Sequence, residues 1–170
     1  MDLQSMIRSV PDFPVPGILF RDITTLLRDG QAYAALIDIM VKSLEGRRVD
    51  IVVGPEARGF VIGSALAYAL KAGFVVARKP GKLPCKTNSV SYGLEYGTGS
   101  LEIHTDAIEP GQHVLVVDDL LATGGTALAA IHLIEKAGGI VECVRFVIEL
   151  TELNGRAELE GYDVQSVMAY

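Results

Sequence analysis

Short apolar runs alternate along this chain with longer stretches in which apolar residues recur at helical spacing. The short runs are rich in Val and Ile and are bounded by Gly, Pro or charged residues, a pattern that predicts buried strands. The predicted strands are VDIVVG (49–54), FVVARK (74–79), HVLVVD (113–118), VECVRFVIEL (141–150) and YDVQSVMAY (162–170).

Two stretches between these strands are expected to form helices. The first covers residues 58–73 and is expected to end with Gly73 as its C-cap. The second covers residues 125–139, is rich in Ala and Leu, and is closed by Gly138 and Gly139. Apolar strands joined by helices are typical of a parallel sheet covered on both faces. The predicted fold class is therefore α/β, with a Rossmann-like parallel sheet.

Two regions depart from this pattern. Residues 11–30 begin with PDFPVPG, whose three prolines fit no regular element, and we expect a small N-terminal hood over about residues 1–30. Residues 80–105 are polar and rich in Gly and Ser, and we expect a long irregular loop that is mobile and functional. Since no repeat or linker divides the chain, residues 1–170 are expected to form one domain.

The composition narrows the classes of function. The 170 residues are 49% hydrophobic and 21% charged, which is enough to bury a core, and the formal net charge is −6. This acidic balance argues against nonspecific nucleic-acid binding, which needs a basic face. It is compatible with a small basic pocket for a phosphorylated ligand.

Cysteine usage and the N-terminal sequence bear on location. Cys85 and Cys143 are far apart and match no CxxC pattern, which is typical of a reduced, cytosolic protein. The segment MDLQSMIRSV lacks the basic and apolar regions of a signal peptide. The longest uncharged apolar stretch is shorter than the roughly 20 residues that span a bilayer. We therefore expect a cytoplasmic protein with no membrane partner.

Two adjacent acids, Asp118 and Asp119, follow the most apolar predicted strand. Ligands of open α/β sheets bind beyond the carboxyl ends of the strands, and two neighbouring carboxylates need a cation or hydroxyl donors to hold them. The next loop, Ala122-Thr123-Gly124-Gly125-Thr126, precedes a helix. Glycines let its backbone curl, and the free amides of the helix N-terminus attract a phosphate.

Acids beside a phosphate cradle predict a sugar-phosphate site, with hydroxyls on the acids and phosphate on the loop. The structural alternative is an Asp-Asp turn before an ordinary glycine-containing helix start. The full order of strand, acid pair, loop and helix favours the site. The loop is not a Walker A motif, because Lys followed by Ser or Thr is missing after its glycines.

Several motifs together resemble one enzyme family. VLVVDDLLATGGTA resembles the phosphoribosyl pyrophosphate-binding motif of the type I phosphoribosyltransferases. Further segments resemble the adenine phosphoribosyltransferases in the same order along most of the chain: FPVPGILFRDITTLL, GPEARGFVIGSALA, ARKPGKLP, SYGLEYGTGSLEIH and VIELTEL.

The resemblance implies the type I phosphoribosyltransferase fold and a purine-salvage reaction. Adenine and phosphoribosyl pyrophosphate would give AMP and pyrophosphate, with Mg²⁺ carried by the donor and no metal ligand required from the protein. The family also implies a homodimer, in which Arg78 reaches the neighbouring subunit's site, and a cis peptide bond between Glu56 and Ala57.

The resemblance also assigns roles to individual residues. Asp118 and Asp119 would hold the ribose hydroxyls and favour the developing sugar cation, and residues 122–126 would hold the 5′-phosphate. The implied pyrophosphate-binding residues are Arg58, Arg78, Lys79 and Lys82. The implied adenine-binding residues are Leu19, Arg21 (through its backbone), Leu120 and Leu150.

Two further residues fall in the segment GLEYG. Glu95 would contact the imidazole edge of the base, where it either acts as general acid and base or only orients the base. Tyr96 would help the loop close over the site and exclude water.

Two rival functions are weighed against this interpretation. The first is a phosphoribosyltransferase for xanthine or guanine, but such enzymes generally read the oxo group with a lysine, and this hood offers FRD instead. The second is a regulator that senses phosphoribosyl pyrophosphate without catalysis. Such a regulator would usually carry a nucleic-acid-binding element, whereas this chain is acidic and is expected to form one domain.

Overall fold

The computed structural model of the chain describes residues 1–93 and 98–170. Its α-helices are α1 (Thr24–Leu27), α2 (Gly30–Lys42), α3 (Arg58–Leu70) and α4 (Gly125–Lys136). Its strands are β1 (Arg8–Val10), β2 (Phe20–Asp22), β3 (Ile51–Pro55), β4 (Gly73–Ala77), β5 (Thr87–Gly93), β6 (Thr98–His104), β7 (His113–Leu121), β8 (Ile140–Glu149) and β9 (Val164–Ala169). Short 3-10 segments cover Gln4–Met6, Thr151–Leu153 and Gly155–Leu159.

The centre of the fold is a five-stranded parallel sheet in the order β4-β3-β7-β8-β9. Alternate residues of β7 point to opposite faces: Leu115 and Val117 join one buried cluster, while Val114 and Val116 join the other. The first cluster is shared with α1, α2 and α3, and the second with α4 and β6. The predicted α/β fold, with both faces of the sheet covered, is confirmed.

Strand β7 continues further than its apolar run indicates. The acids do not follow the strand but lie within it, because β8 keeps pairing alongside: Asp118 lies opposite Phe146, and Leu121 lies opposite Glu149. The expected end of the strand at residue 118 is therefore wrong, since the last strand residue is Leu121. Pairing with β8 on both sides of Asp119 places the acid pair near the carboxyl end of the central strand.

Helix α3 ends earlier than predicted. Its last residue is Leu70, and Lys71 adopts the left-handed conformation at the C-cap with a φ of 56°. Gly73 is not the cap but the first residue of β4. The sequence pattern predicts that the helix ends at the nearest glycine, Gly73, whereas the left-handed residue that ends it is Lys71.

Helix α2 is absent from the sequence-based prediction. Its buried residues Ala32, Leu36 and Met40 recur at a spacing of four and pack on the sheet. Asp29 caps it by accepting hydrogen bonds from the amides of Gln31 and Ala32, both at 3.0 Å. This acid before an apolar repeat is the signal that identifies the helix.

The expectation of an irregular backbone over residues 80–105 is wrong for most of that segment. Strands β5 and β6 pair antiparallel, from Thr87 opposite His104 to Gly93 opposite Thr98. Leu101 and Ile103 alternate with polar residues and are buried, which is the signature of a half-buried strand. The mobility of the segment stays a prediction.

The N-terminal residues form the small element that the prolines predicted. Strands β1 and β2 pair antiparallel around a stretch without helix or strand, which includes PDFPVPG. Arg8 and Asp22 close this pair with an ion pair of 2.5 Å. Within the described part of the chain, no helix is long and apolar enough to cross a membrane.

Candidate active site

Because all five central strands are parallel, their carboxyl ends meet at one edge, and the candidate residues follow those ends. Glu56 and Arg58 follow β3, Arg78 follows β4, and the acid pair lies near the end of β7. Three cavities that share lining residues lie along this edge. The topology therefore assembles residues that are distant in the sequence into one site.

The two acids have different environments. Asp119 is buried, with 4% of its surface exposed, and its carboxylate forms an ion pair with the guanidinium of Arg58. Its backbone amide donates to Asp118 Oδ1 at 2.8 Å. Burial, followed by the neighbouring charge of Asp119, raises the pKa of the Asp118 carboxyl well above its ordinary value. Arg58 is therefore a cation that holds Asp119 in the absence of ligand.

The predicted phosphate loop begins a helix as expected. Gly124 adopts a φ of 90°, which a glycine tolerates, and α4 starts at Gly125. Since Gly124 has no side chain, it cannot cap the first amides of α4, and the first residues of this helix line a cavity of about 70 Å³. That cavity is lined by Asp118, Leu120, Leu121, Ala122, Thr123, Gly124, Gly125, Thr126, Ala127 and Phe146.

The segment that contains Gly155 packs directly against the phosphate loop. A Cβ on Gly124 would lie 2.6 Å from the carbonyl oxygen of Gly155, and a Cβ on Gly155 would lie 2.3 Å from that of Ala122. Both distances are too short for a side chain. Two glycines thus let the backbones touch and hold the phosphate loop in shape.

The acid pair opens onto a larger cavity of about 300 Å³. It is lined by Glu56, Ala57, Arg58, Asp118, Asp119, Leu120, Ala122 and Thr126. This space connects three predicted groups: the acids, one cation and the start of the phosphate loop. A ligand with hydroxyls and two anionic ends matches this distribution of charge.

The cations of residues 78–82 surround a carboxylate that the sequence analysis missed. Glu56 accepts a hydrogen bond from the Lys79 amide at 2.6 Å, and Lys82 Nζ lies 3.2 Å from its other oxygen. Arg78 Nε lies 3.5 Å from Glu56 Oε1, an ion-pair distance without hydrogen-bond geometry. β3 and β4 are both predicted strands, and in the structure they pair with Pro55 opposite Ala77. This pairing places Glu56, the residue after β3, beside Arg78, the residue after β4.

Phe20 of the hood lies close to Arg58, which is the ion-pair partner of Asp119. The Arg58 guanidinium lies 5.5 Å from the centre of the Phe20 ring, next in the chain to Leu19, which is 48% exposed. Leu120 lines the larger cavity, and the Leu150 amide donates to Leu121 at 3.0 Å. Leu120 and Leu150 are half-buried against the core, so Leu19 is the most accessible of the three predicted leucines.

The side chain of Arg21 is engaged away from the cavities. Its Nη1 donates to Ser9 Oγ at 2.5 Å, and its guanidinium lies 4.0 Å from the centre of the Tyr170 ring. These contacts stabilise the β1–β2 pair against the C-terminus. The contact between the Arg21 backbone and adenine stays a prediction.

Tyr92 is another residue that the sequence analysis missed. Cβ atoms built on Gly125 and Gly99 would lie 3.2 Å and 2.5 Å from its ring. The ring therefore packs against two glycines, where a side chain would leave it no room. Its hydroxyl lies 3.5 Å from Thr126 Oγ1. Tyr92 thus packs strand β5 against the phosphate loop, a contact between distant segments that no local pattern predicts.

The predictions for Glu95 and Tyr96 lie outside the described residues, which omit 94–97. The cis peptide bond expected between Glu56 and Ala57 is present.

Comparison with known proteins identifies relatives along the whole chain. A family model described as "Phosphoribosyl transferase domain" matches residues 22–168. The adenine phosphoribosyltransferase of Clostridium beijerinckii is 59% identical, over 100% of this chain and 99% of its own.

Solved structures of adenine phosphoribosyltransferases are also similar to this chain over nearly its full length. That of adenine phosphoribosyltransferase from Thermoanaerobacter pseudethanolicus is 54% identical, with a TM-score of 0.98 over 99% of this chain and 98% of that one. The Saccharomyces cerevisiae enzyme, complexed with adenine and an imino-altritol bisphosphate, is 39% identical, with a TM-score of 0.94 over 98% and 96% of the two chains.

Proposed function

This chain belongs to the phosphoribosyl transferase family, and from that premise we infer that its sheet edge is the active site of an adenine phosphoribosyltransferase. The enzyme transfers the 5-phosphoribosyl group from phosphoribosyl pyrophosphate to adenine, giving AMP and pyrophosphate in purine salvage. The observation that carries this conclusion is the acid pair beside a phosphate loop, in a chain that matches these enzymes over its full length.

We assign the parts of the donor by charge. Its 5′-phosphate binds the amides and hydroxyls of residues 122–126, since that loop offers donors at the N-terminus of α4. Its ribose hydroxyls bind Asp118 and Asp119. Its pyrophosphate meets Arg58 and Lys79, which line these cavities, and Lys82, whose ammonium pairs with Glu56 at their border.

The reaction breaks the bond between the anomeric carbon and the pyrophosphate oxygen, and a ring nitrogen of adenine forms the new bond. The sugar gains positive charge as pyrophosphate leaves, so a fixed carboxylate beside it lowers the barrier. Asp118 suits this role because the strand ladder holds it in place. Glu95 remains our candidate for handling the proton of the base, and Tyr96 for closing the site.

Mg²⁺ is the proposed cofactor, bound to the phosphates of the donor. Residues of the cavity fit such an ion, because the hard carboxylate oxygens of Asp118 and Asp119 line the space where phosphoribosyl pyrophosphate would bind. Within residues 1–93 and 98–170 no three potential ligands cluster around one point. When bound, Mg²⁺ would neutralise charge on the departing pyrophosphate.

Arg58 has two uses in this scheme. Without ligand its guanidinium pairs with Asp119, but half of its side chain is exposed, so it can turn toward an anion. Pyrophosphate would then compete with Asp119 for the same cation. Donor binding would free the Asp119 carboxylate for the ribose hydroxyls at the moment when it is needed.

Adenine is the base we expect the enzyme to prefer. Turnover should be fastest with adenine and much slower with guanine, hypoxanthine or xanthine, because residues 18–22 offer no lysine to read an oxo group. A panel of the four bases with phosphoribosyl pyrophosphate and Mg²⁺, followed by nucleotide formation, measures this. Faster turnover of guanine or xanthine would favour the rival enzyme function, and binding of the donor without turnover would favour the sensor.

We propose that the enzyme is a homodimer. Helix α3 exposes Val61 (41%) and Tyr68 (89%), which lie two turns apart on one face beside the edge strand β4. An exposed apolar face next to an edge strand is typical of a subunit contact. Arg78 follows β4 directly, and its proposed reach to the neighbouring subunit's site requires its guanidinium to leave Glu56 of its own chain.

Tyr68→Glu should shift wild-type dimers to monomers, because a charge in the contact would be desolvated without a partner. Sedimentation of the wild type and the variant at equal concentration measures the change. Ile140→Glu, which changes a 47% exposed side chain on another element, serves as the control and should stay dimeric. A dimeric Tyr68→Glu protein would rule out this face.

The location that we propose is the cytoplasm. Cys85 is exposed and Cys143 is buried, and both are free thiols. Burial raises the pKa of the Cys143 thiol to about 11, which keeps it protonated and inert. Free thiols and phosphorylated substrates both suit a reducing interior.

A further inference from the structure

Glu56 lies at the centre of the cations that the enzyme uses for pyrophosphate. Its side chain is only 10% exposed and meets three groups from residues 78–82: the Lys79 amide, the Lys82 ammonium and the Arg78 guanidinium. A carboxylate is an unusual occupant for an anion site, because its charge repels the anion that is to bind there.

The carboxylate is ionised in this setting. Burial alone would raise the pKa of the Glu56 carboxyl, but the Lys79 amide and the Lys82 ammonium outweigh it, and the pKa is lowered from its ordinary value. Glu56 therefore contributes a full negative charge at neutral pH. Its oxygens occupy the same donors that a phosphate oxygen would use.

Glu56 also stands between the two larger cavities of the site. It lines the cavity of about 300 Å³ with Arg58 and the acid pair. It lines as well a cavity of about 580 Å³ with Lys79, Pro80 and strand β6. An anion that spans Arg58 and Lys82 has to pass beside this carboxylate.

We propose that Glu56 is an internal stand-in for pyrophosphate, which holds Lys82 and the Lys79 amide in the empty site and weakens the binding of pyrophosphate by competing for them. Half of the Lys82 side chain is exposed, so its ammonium can move from Glu56 to the ligand. The enzyme thereby binds its product less tightly and releases it sooner. This inference rests on the proposed pyrophosphate role of the cations.

Glu56→Gln tests the competition, because the amide keeps an oxygen for the Lys79 amide and removes only the charge. We expect its dissociation constant for Mg²⁺-pyrophosphate, measured by calorimetry at low ionic strength, to fall about tenfold. Added salt should shrink the difference, since it screens the repulsion. Glu56→Ala, which removes charge and hydrogen bond together, should also bind more tightly than the wild type and serves if the amide variant does not fold.

Glu102→Gln is the matched control. The Glu102 carboxylate lies near the same segment and accepts from the Gly81 amide at 3.3 Å, but it meets that segment through this backbone group. We expect its pyrophosphate affinity to change less than about twofold. A tenfold gain in this variant too would show a general charge effect and overturn the specific role of Glu56.

Lys82→Ala separates this inference from the proposed function. The variant should bind pyrophosphate more weakly than the wild type, whatever Glu56 does. If it does so while the Glu56 variants bind no more tightly than the wild type, the stand-in role is wrong and the proposed function stands. Unchanged binding in Lys82→Ala would overturn the pyrophosphate role of these cations and the stand-in with it.

Discussion

Asp118→Asn should lower kcat by about a hundredfold, which corresponds to roughly 3 kcal/mol of transition-state stabilisation. An amide still accepts hydrogen bonds from the ribose, so the KM for the donor should change little. It cannot supply negative charge as pyrophosphate departs. An interaction that strengthens in the transition state appears in kcat rather than in KM.

Initial rates at saturating adenine, with the donor concentration varied, separate the two constants. Asp38→Asn changes the same charge at an exposed position on α2 and should leave both constants unchanged. A loss in KM alone, with kcat retained, would mean that Asp118 only binds the donor in its ground state.

The same substitution should raise thermal stability at neutral pH. Burial and the charge of Asp119 raise the pKa of the Asp118 carboxyl, so between the ordinary and the raised value the folded protein binds more protons than the unfolded one. The free energy of unfolding therefore falls as pH rises through that window. Asn carries no charge and avoids this loss.

The difference in melting temperature between wild type and Asp118→Asn should thus vanish near pH 3.9, roughly the ordinary aspartate value, and grow as pH rises. Scanning calorimetry of the ligand-free proteins across this range measures it. A variant that melts well below the wild type at neutral pH, with kcat unchanged in the folded fraction, would make Asp118 structural.

Asp119→Asn should lower kcat to a similar extent but should not stabilise the protein. Asp119 is paired with Arg58, so the substitution removes a favourable ion pair as well as a charge. Because Arg58 is half exposed, the pair contributes about 1 kcal/mol or less. Because the substitution also relieves the repulsion between the two acids, the two effects offset, and the melting temperature should change little, in contrast to Asp118→Asn.

Gly124→Ala should destabilise the protein by about 2–4 kcal/mol and raise the KM for the donor more than about tenfold. Its φ of 90° disfavours any side chain, and the added Cβ would lie 2.6 Å from the carbonyl oxygen of Gly155. The loop has to move to relieve this contact, which displaces the amides that we propose to hold the 5′-phosphate. Urea unfolding and donor kinetics measure the two effects.

Gly111→Ala separates the two causes. Gly111 has a φ of 84°, but a Cβ there would meet nothing within 4 Å. It should therefore lose only the backbone contribution, about 1–2 kcal/mol, and keep its KM. If Gly124→Ala behaves like Gly111→Ala in both measurements, the phosphate loop tolerates displacement and does not depend on its contact with Gly155.

The local pattern of the chain is sufficient to predict the parallel strands and the phosphate loop. Its motifs are sufficient to identify the resemblance to a family. Strands buried in a parallel sheet are rich in apolar residues, so β3, β4 and the first part of β7 are visible as short apolar runs rich in Val. A tight loop that starts a helix needs glycine, so Gly124 and Gly125 mark it in the sequence itself. These features depend on residues that are neighbours along the chain.

Apart from α2, whose signal is local, the main features that the pattern missed depend on residues that are distant in the sequence. Strand β7 includes the acid pair because β8 continues alongside, and segment 80–105 forms strands because Leu101 and Ile103 find a core to enter. A segment with many polar residues shows only weak strand periodicity in its sequence. Pairing with a neighbouring strand makes it a strand all the same.

The order of amino acids alone predicts the acid pair, the phosphate loop and the candidate cations, and where they occur along the chain. Their pairing is a property of the folded chain: Asp119 with Arg58 after β3, Glu56 with Lys82, and Gly124 with Gly155. The physical reason is that ion pairs and backbone contacts depend on distances of about 3–4 Å in space, which the packing of the sheet sets and local composition does not record.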